Sequence, residues 1–389
     1  MRTSAAVQIR DLVAEMAAQG HHVTVLLPDA RLETPWKLEE GAGTTLLRLK
    51  APRTKDVGYI RRAIAEFRLS GCMYRHLVKS PLNNMPWDAL VWYSPTIFFG
   101  SLVAKLRKVK ACPSYLILRD IFPEWAVDMG LLNEGPIYRY FKKVERFQYE
   151  QADTIGVQTP SNVAYFENEH PGLDARVEVL NNWLSETVVG ESSIQIDNTP
   201  LAGRRIFAYT GNIGIAQGMD VLIDLANELR HDDSVGFVFV GRGTAVDRVK
   251  QRAASYALEN ILFFDEIEPN EIPGLLAQCH LGLIALDPRH RNDNIPGKFL
   301  AYMQAGLPVL ASINPGNDLE EMVHEHRVGE VVSDNSLPHL TEFASKLLAE
   351  VDSDDDIRVR CRHLAGARFS SAAAVRQIVA AVEKSSDEG

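Results

Sequence analysis

Short apolar runs of strand length recur along this 389-residue chain, and between them lie segments whose apolar residues return at helical spacing. In the first half the runs fall at 23–27, 45–49, 89–92, 115–118, 154–157 and 177–180. In the second they fall at 206–209, 236–240, 261–264, 281–285, 309–311 and 329–332. Parallel strands can be joined only through a crossover, so regular alternation of strand and helix predicts parallel sheets covered by helices. A stretch poor in apolar residues, 185–203, carries Ser192, Ser193, Asn198, Pro200 and Gly203 and reads as a linker. The expected fold class is therefore α/β, with two Rossmann-like domains at 1–185 and 200–369. A last amphipathic helix, with Val375, Ile378, Val379 and Val382 on one side, is expected to pack back, so that about 370–389 joins the first domain.

One element of such a fold is missing from the expected place. A βαβ domain opens with a strand and a glycine-rich loop, whereas this sequence runs from Arg2, Thr3 and Ser4 straight into a helical pattern over 5–19. That first strand is a central one, so its absence predicts a gap of unpaired backbone groups unless another segment fills it. A start further upstream is the other expectation.

Composition narrows the class of protein. Hydrophobic residues make up 46% and charged residues 24%, which suits globular domains with full cores. The four cysteines stand far apart, so neither a disulfide framework nor a zinc site is indicated, and a reducing cytoplasm is expected. The longest apolar stretch, 89–106, is broken by Ser94, Pro95 and Lys105, too short a run to span a bilayer; a soluble or peripheral protein is expected. The net charge of −10 is unevenly spread: residues 1–185 hold 23 Lys and Arg against 20 Asp and Glu, the remainder 18 against 31. Residues 48–79 carry nine basic side chains, among them Arg48, Lys50, Arg61, Arg62, Arg68 and Arg75, interleaved with Ile64, Phe67 and Tyr74. This basic amphipathic segment suits an anionic membrane surface, although a solvated helix face has the same pattern. Nucleic acid is not expected, since the whole chain is acidic and no recognition motif accompanies the patch.

Three turns carry the candidate chemistry. Asn294, Ile295, Pro296, Gly297 and Lys298 lead into a short helix ended by Gly306, which aims a helix N-terminus and a cation at an anion. The run Gly211, Asn212, Ile213, Gly214, Ile215, Ala216, Gln217, Gly218 follows the first strand of the second domain and lets backbone amides approach a diphosphate closely. Its spacing is not that of dinucleotide enzymes. Gly241, Arg242 and Gly243 form a second glycine turn with a cation. All three follow strands, and in open α/β sheets the carboxyl edge is where ligands bind.

With Arg119, Asp120, Ile121, Phe122, Pro123 and Glu124, and with Gln158, Thr159, Pro160 and Ser161, these motifs resemble the retaining family 4 glycosyltransferases of GT-B fold over nearly the whole chain. Within them the sequence is most similar to the L-fucosamine (N-acetyl-L-fucosamine) transferase group of O-antigen and capsule assembly. The resemblance implies two Rossmann-like domains facing across a cleft, with a UDP-sugar held by the second and an acceptor by the first. It implies transfer with retention, no metal or other cofactor, a polyprenyl-diphosphate-linked or other glycan acceptor, and a place at the inner face of the cell membrane. On it, Arg119, Asp120 and Lys298 are the catalytic candidates. Gly211, Asn212, Gly214, Gln217, Arg242, Glu266, Ile267, Asp293, Ile295, Pro296 and Gly297 are expected to bind the donor, the base lying near Glu266 and Ile267. Glu124 is a weaker candidate. Three departures stand out: Asp293 and Ala301 where relatives place two glutamates, Gln217 where a lysine is common, and Arg119 where a histidine is frequent. A non-catalytic subunit of the same fold and a nucleotide-sugar epimerase are the competing expectations.

Overall fold

The computed structural model describes residues 4–54, 57–94, 96–128, 130–185, 190–287, 295–354 and 356–387. The chain divides into two compact units, 1–181 with 371–389, and 182–370.

The first unit begins with α1 (Ser4–Ala18), β1 (Val23–Asp29), β2 (Trp36–Gly41), β3 (Thr44–Lys50) and α2 (Tyr59–Leu77). It continues through β4 (Leu90–Ser94), α3 (Gly100–Lys110), β5 (Ser114–Leu118), α4 (Glu124–Asp128), α5 (Pro136–Tyr149), β6 (Thr154–Val157), α6 (Pro160–Glu169) and β7 (Arg176–Val179). Its strands form two sheets. One has the order β1-β3-β2, with β1 parallel to β3 and β2 antiparallel to it; the other is the parallel sheet β4-β5-β6-β7. The hairpin strand β2 was not expected from the sequence. Its Trp36 and Leu38 alternate with Lys37 and Glu39, a half-buried edge pattern too short and too charged to stand out. A tight turn through Gly43, at φ +68°, joins it to β3. Every position of β5 is buried, whereas β1 is only partly buried along most of its length. Leu47 and Leu49 of β3 pack with Leu69, Met73 and Leu77 of α2 and with Leu102 and Leu106 of α3.

The second unit runs β8 (Arg205–Thr210), α7 (Asp220–Glu228), β9 (Val235–Val240), α8 (Val246–Ser255), β10 (Ile261–Phe264), α9 (Ile272–Leu276) and β11 (Leu281–Ala285). Then come α10 (Gly297–Ala305), β12 (Val309–Ser312), α11 (Asp318–His326), β13 (Gly329–Val332), α12 (Leu337–Ser353) and α13 (Ile357–Arg368). All six strands are parallel, in the order β10-β9-β8-β11-β12-β13. Alternation divides each strand between two cores: Ile206 and Ala208 of β8 join one, Phe207 and Tyr209 the other. Both faces are therefore covered, as the near-continuous apolar runs predicted.

The chain then returns to the first unit as α14 (Ser371–Asp387), which packs on α1 and β5. Val375 and Ile378 are fully buried, each contributing about 1.5–3 kcal/mol by burial. Gln377 donates from Nε2 to the Val179 carbonyl and the Glu178 carboxylate, both at 2.8 Å.

Candidate functional site

In the second unit the chain lays β9 and β10 to one side of β8, then crosses to the other side for β11. The order reverses between β8 and β11, and at such a switch point the loops part to leave a crevice outside the carboxyl ends. The loop after β8 and the N-terminus of α10, with Ile295 and Pro296 before it, both lie there.

The position of α10 is fixed from within the sheet. Tyr302 is fully buried; its hydroxyl accepts the Thr210 N–H at 3.1 Å and lies 3.1 Å from the Ala208 carbonyl, to which it donates. Gly282 of β11 lies under its ring, where a Cβ would come within 2.4 Å. One turn earlier on the same face stands Lys298. Its Nζ donates to the Tyr209 hydroxyl at 2.8 Å and lies 4.1 Å from the centre of that ring. Tyr209 donates in turn to the Asn212 carbonyl at 2.7 Å. Lys298 makes no ion pair among the described residues, and burial lowers its ammonium to about 7. An anion at this place would restore its charge. Pro296 caps the helix in extended conformation, Gly297 is its first residue, and Gly306 ends it in the left-handed region at φ +75°.

The two glycine turns pack backbone on backbone. Gly211 donates to the Val240 carbonyl and Ile213 to the Arg242 carbonyl, each at 2.9 Å, and Ala245 donates to the Ile213 carbonyl at 3.0 Å. A Cβ on Gly241 would lie 1.8 Å from the Gly211 oxygen, and one on Gly243 2.2 Å from the Ile213 oxygen. Gln217 closes the first loop on itself: its Oε1 accepts from Asn212 Nδ2 at 2.9 Å and from the Gly214 N–H at 3.0 Å. These are the kinds of donors a phosphate oxygen takes.

Arg242 and Glu266 form an exposed ion pair at 2.8 Å, which joins the second turn to the one after β10 but adds little stability. Ile267 and Ala301 are partly buried against the core, and Ile295 is buried. The structure thus brings Gly211, Asn212, Gly214, Gln217, Arg242, Glu266, Pro296, Gly297 and Lys298 onto the loops at one sheet edge. Asp293 lies outside the described residues.

In the first unit, Arg119 and Asp120 follow β5 directly. Arg119 is buried, and its guanidinium donates to the Leu180 carbonyl at 2.6 Å and the Asn181 carbonyl at 3.4 Å. It ties the chain end of β7 to that of β5, and burial lowers its pKa to about 10. Asp120 reaches solvent; burial pushes its carboxyl upward and Arg119 partly holds it down. Glu124 is engaged by Lys142 at 2.6 Å and Tyr138 at 3.3 Å. Lys142 also meets the fully buried Glu145 at 2.6 Å, so Glu124 belongs to an internal network.

Tyr209 and Tyr302 are site-building residues that the sequence did not single out. Each reads as one more apolar member of a strand or helix; only the pairing of β8 with α10 shows their hydroxyls at work.

Fold and site together define an α/β protein of two Rossmann-like units, with candidate site loops at the carboxyl edge of the parallel sheet of the second. Sequence families agree over both: residues 3–183 match the glycosyl transferase 4-like domain, and residues 204–350 match the glycosyl transferases group 1. The chain belongs to the family 4-type GT-B glycosyltransferases built from these two domains. It is 27% identical to the glycosyltransferase WbjE of Pseudomonas aeruginosa over 82% of this chain and 79% of that one. It is 25% identical to the colanic acid biosynthesis glycosyl transferase WcaI of Escherichia coli K12 over 70% of each. Among solved structures, HepE of Anabaena in complex with UDP superposes with a TM-score of 0.67 at 15% identity, covering 99% of this chain and 98% of that one.

Proposed function

We propose that this glycosyltransferase moves an N-acetylated deoxyhexose, of the N-acetyl-L-fucosamine kind, from a UDP-sugar to a polyprenyl-diphosphate-linked glycan, with retention and without a metal. The product is a cell-surface polysaccharide such as O-antigen or capsule, and the protein works peripherally on the inner face of the membrane. The observation that carries this reading is Lys298, partly buried and without an ion pair among the described residues, at the switch point beside the N-terminus of α10 and the amides of 211–214.

In the transfer, the bond from the anomeric carbon to the diphosphate breaks, the diphosphate keeps the electron pair, and an acceptor hydroxyl oxygen takes its place on the carbon while its proton passes to the departing diphosphate oxygen. Charge grows on the leaving group, so preorganised donors there lower the barrier. Lys298, Arg242, the glycine-loop amides and the α10 dipole supply them. Asp120 orients an acceptor or sugar hydroxyl. The UDP in the HepE structure and the colanic acid in the name of WcaI support the choice of nucleotide and of product.

The surface of the first unit supports the membrane reading in narrowed form. Arg48 is taken up by Glu39 at 3.3 Å and Asp29 at 3.6 Å, and Lys50 by the Glu33 carbonyl at 3.0 Å, so the start of the basic segment is internally paired. On α2, Arg61, Arg62, Arg68 and Arg75 are exposed beside Ile64 and Phe67. Rings in contact lead on from Phe67 through Phe98, Phe141 and Phe122 to the exposed Trp125. No helix among the described residues is long and apolar enough to cross a membrane.

Calorimetry with UDP tests the reading. The intact chain binds UDP, and Lys298→Ala weakens binding by about tenfold or more, a loss of roughly 1.4 kcal/mol. No heat of binding from the unaltered protein would sink it. Transfer by the pure protein, abolished by Asp120→Ala, separates it from a non-catalytic subunit; product analysis without acceptor separates it from an epimerase.

A further inference from the structure

We infer that the Gln217 side chain is a built-in competitor of the donor: in the free protein its Oε1 fills the seat of a diphosphate oxygen at the 211–214 loop, and binding displaces it. The inference rests on the donor reading above and adds a group that the ligand must move. Two donors converge on that one oxygen, Asn212 Nδ2 at 2.9 Å and the Gly214 N–H at 3.0 Å. A side-chain amide and a backbone amide of a glycine turn, aimed at a single acceptor, are what a phosphate oxygen meets in an anion-binding concavity. Gly214 leaves that acceptor its room, since a Cβ there would lie 2.7 Å from Gln217 Oε1 and 2.8 Å from Asn212 Nδ2. An anion can reach the place: Gly211 and Asn212 are exposed, and Gln217 is half-buried.

The loop keeps its shape without this side chain. From beneath, the Asn212 carbonyl accepts the Tyr209 hydroxyl at 2.7 Å, and Tyr209 in turn accepts from Lys298 at 2.8 Å. Gly211 and Ile213 donate to the Val240 and Arg242 carbonyls, and the Ile213 carbonyl accepts from Ala245. Gln217 itself hangs on a single turn, Ile215–Gln217, that ends in Gly218 at φ +54°. It can therefore swing away without disturbing a strand or a longer helix. The exchange favours the ligand, because a neutral amide oxygen is traded for a charged one whose hydrogen bonds are about twice as strong. It also eases the reverse step: as UDP leaves after transfer, the seat refills from within, and neither donor is left unpaired.

Calorimetry of the intact chain with UDP and with inorganic pyrophosphate tests this. Gln217→Ala vacates the seat and is expected to tighten both ligands by about threefold or more. Gln217→Glu sets a charged acceptor on the same two donors and is expected to weaken both by about tenfold or more. A residue that merely braced the loop gives the opposite sign in the alanine variant. UDP affinity that falls or stays level in Gln217→Ala therefore overturns the inference and leaves the donor reading standing. A second measurement needs no variant: in the unaltered chain with isotope-labelled glutamine, the Gln217 side-chain amide resonance should move on saturation with pyrophosphate, and an unmoved signal overturns the inference. An unaltered chain that binds neither UDP nor pyrophosphate overturns the donor reading and this inference together.

Discussion

At the scale of single residues, the protonation of Lys298 sets how the donor site responds to pH. In the free protein desolvation lowers its ammonium to about 7, and it makes no ion pair among the described residues. A bound diphosphate favours the charged form and raises that value, so binding takes up a proton between about 7 and the raised pKa. UDP affinity should therefore fall as pH rises from about 7 to 9, and calorimetry in buffers of different ionisation enthalpy should show the proton. With Lys298→Ala both the slope and the proton should vanish. Lys142 offers a test of stability instead. It faces two carboxylates, and burial with the neighbouring Glu124 pushes Glu145 up to about 7. Removing the cation in Lys142→Met leaves Glu145 buried without a partner cation, held only by the Tyr149 hydroxyl that donates to it at 2.9 Å, at a cost of about 2–4 kcal/mol. A carboxyl with a raised native pKa stabilises below its unfolded value near 4.5 and loses that contribution as pH rises through about 7. The deficit, read from denaturant unfolding, should therefore be larger at pH 8 than at pH 5.

At the scale of elements, the glycine turns were legible because glycine at a strand end has few other uses. Their mutual packing was not. Gly211 and Gly241 are thirty residues apart, and only the pairing of β8 with β9 brings the Gly211 oxygen to where a Cβ on Gly241 would stand. Gly241→Ala must push the two turns apart by more than an ångström. It is expected to abolish measurable UDP binding while the far-UV spectrum stays unchanged; retained affinity would mean that the turns do not form the phosphate site. The same limit explains Tyr302. Sequence periodicity places it on the apolar face of α10, but its hydroxyl serves β8 and β11 through contacts of 94 and 19 residues' separation. The edge strand β2 escaped notice for the opposite reason: its outward face is charged, and half a strand of signal does not rise above its surroundings.

At the scale of the whole molecule, the alternation of strand and helix sufficed for the fold class, since parallel strands admit few connections. The apolar face of α14 marked it as a helix to be buried; its partners, α1 and β5, lie more than 250 residues earlier in the chain. A chain truncated after Ser370 should lose the buried Val375 and Ile378 and the Gln377 bonds to the end of β7. Thermal unfolding should then show the first unit melting at lower temperature while the second keeps its transition; a single unshifted transition would contradict this. Because α14 follows the second unit along the chain yet belongs to the first, the second unit is an insertion in the covalent path of the first: its host cannot complete its own core until the chain has passed through the whole of its guest.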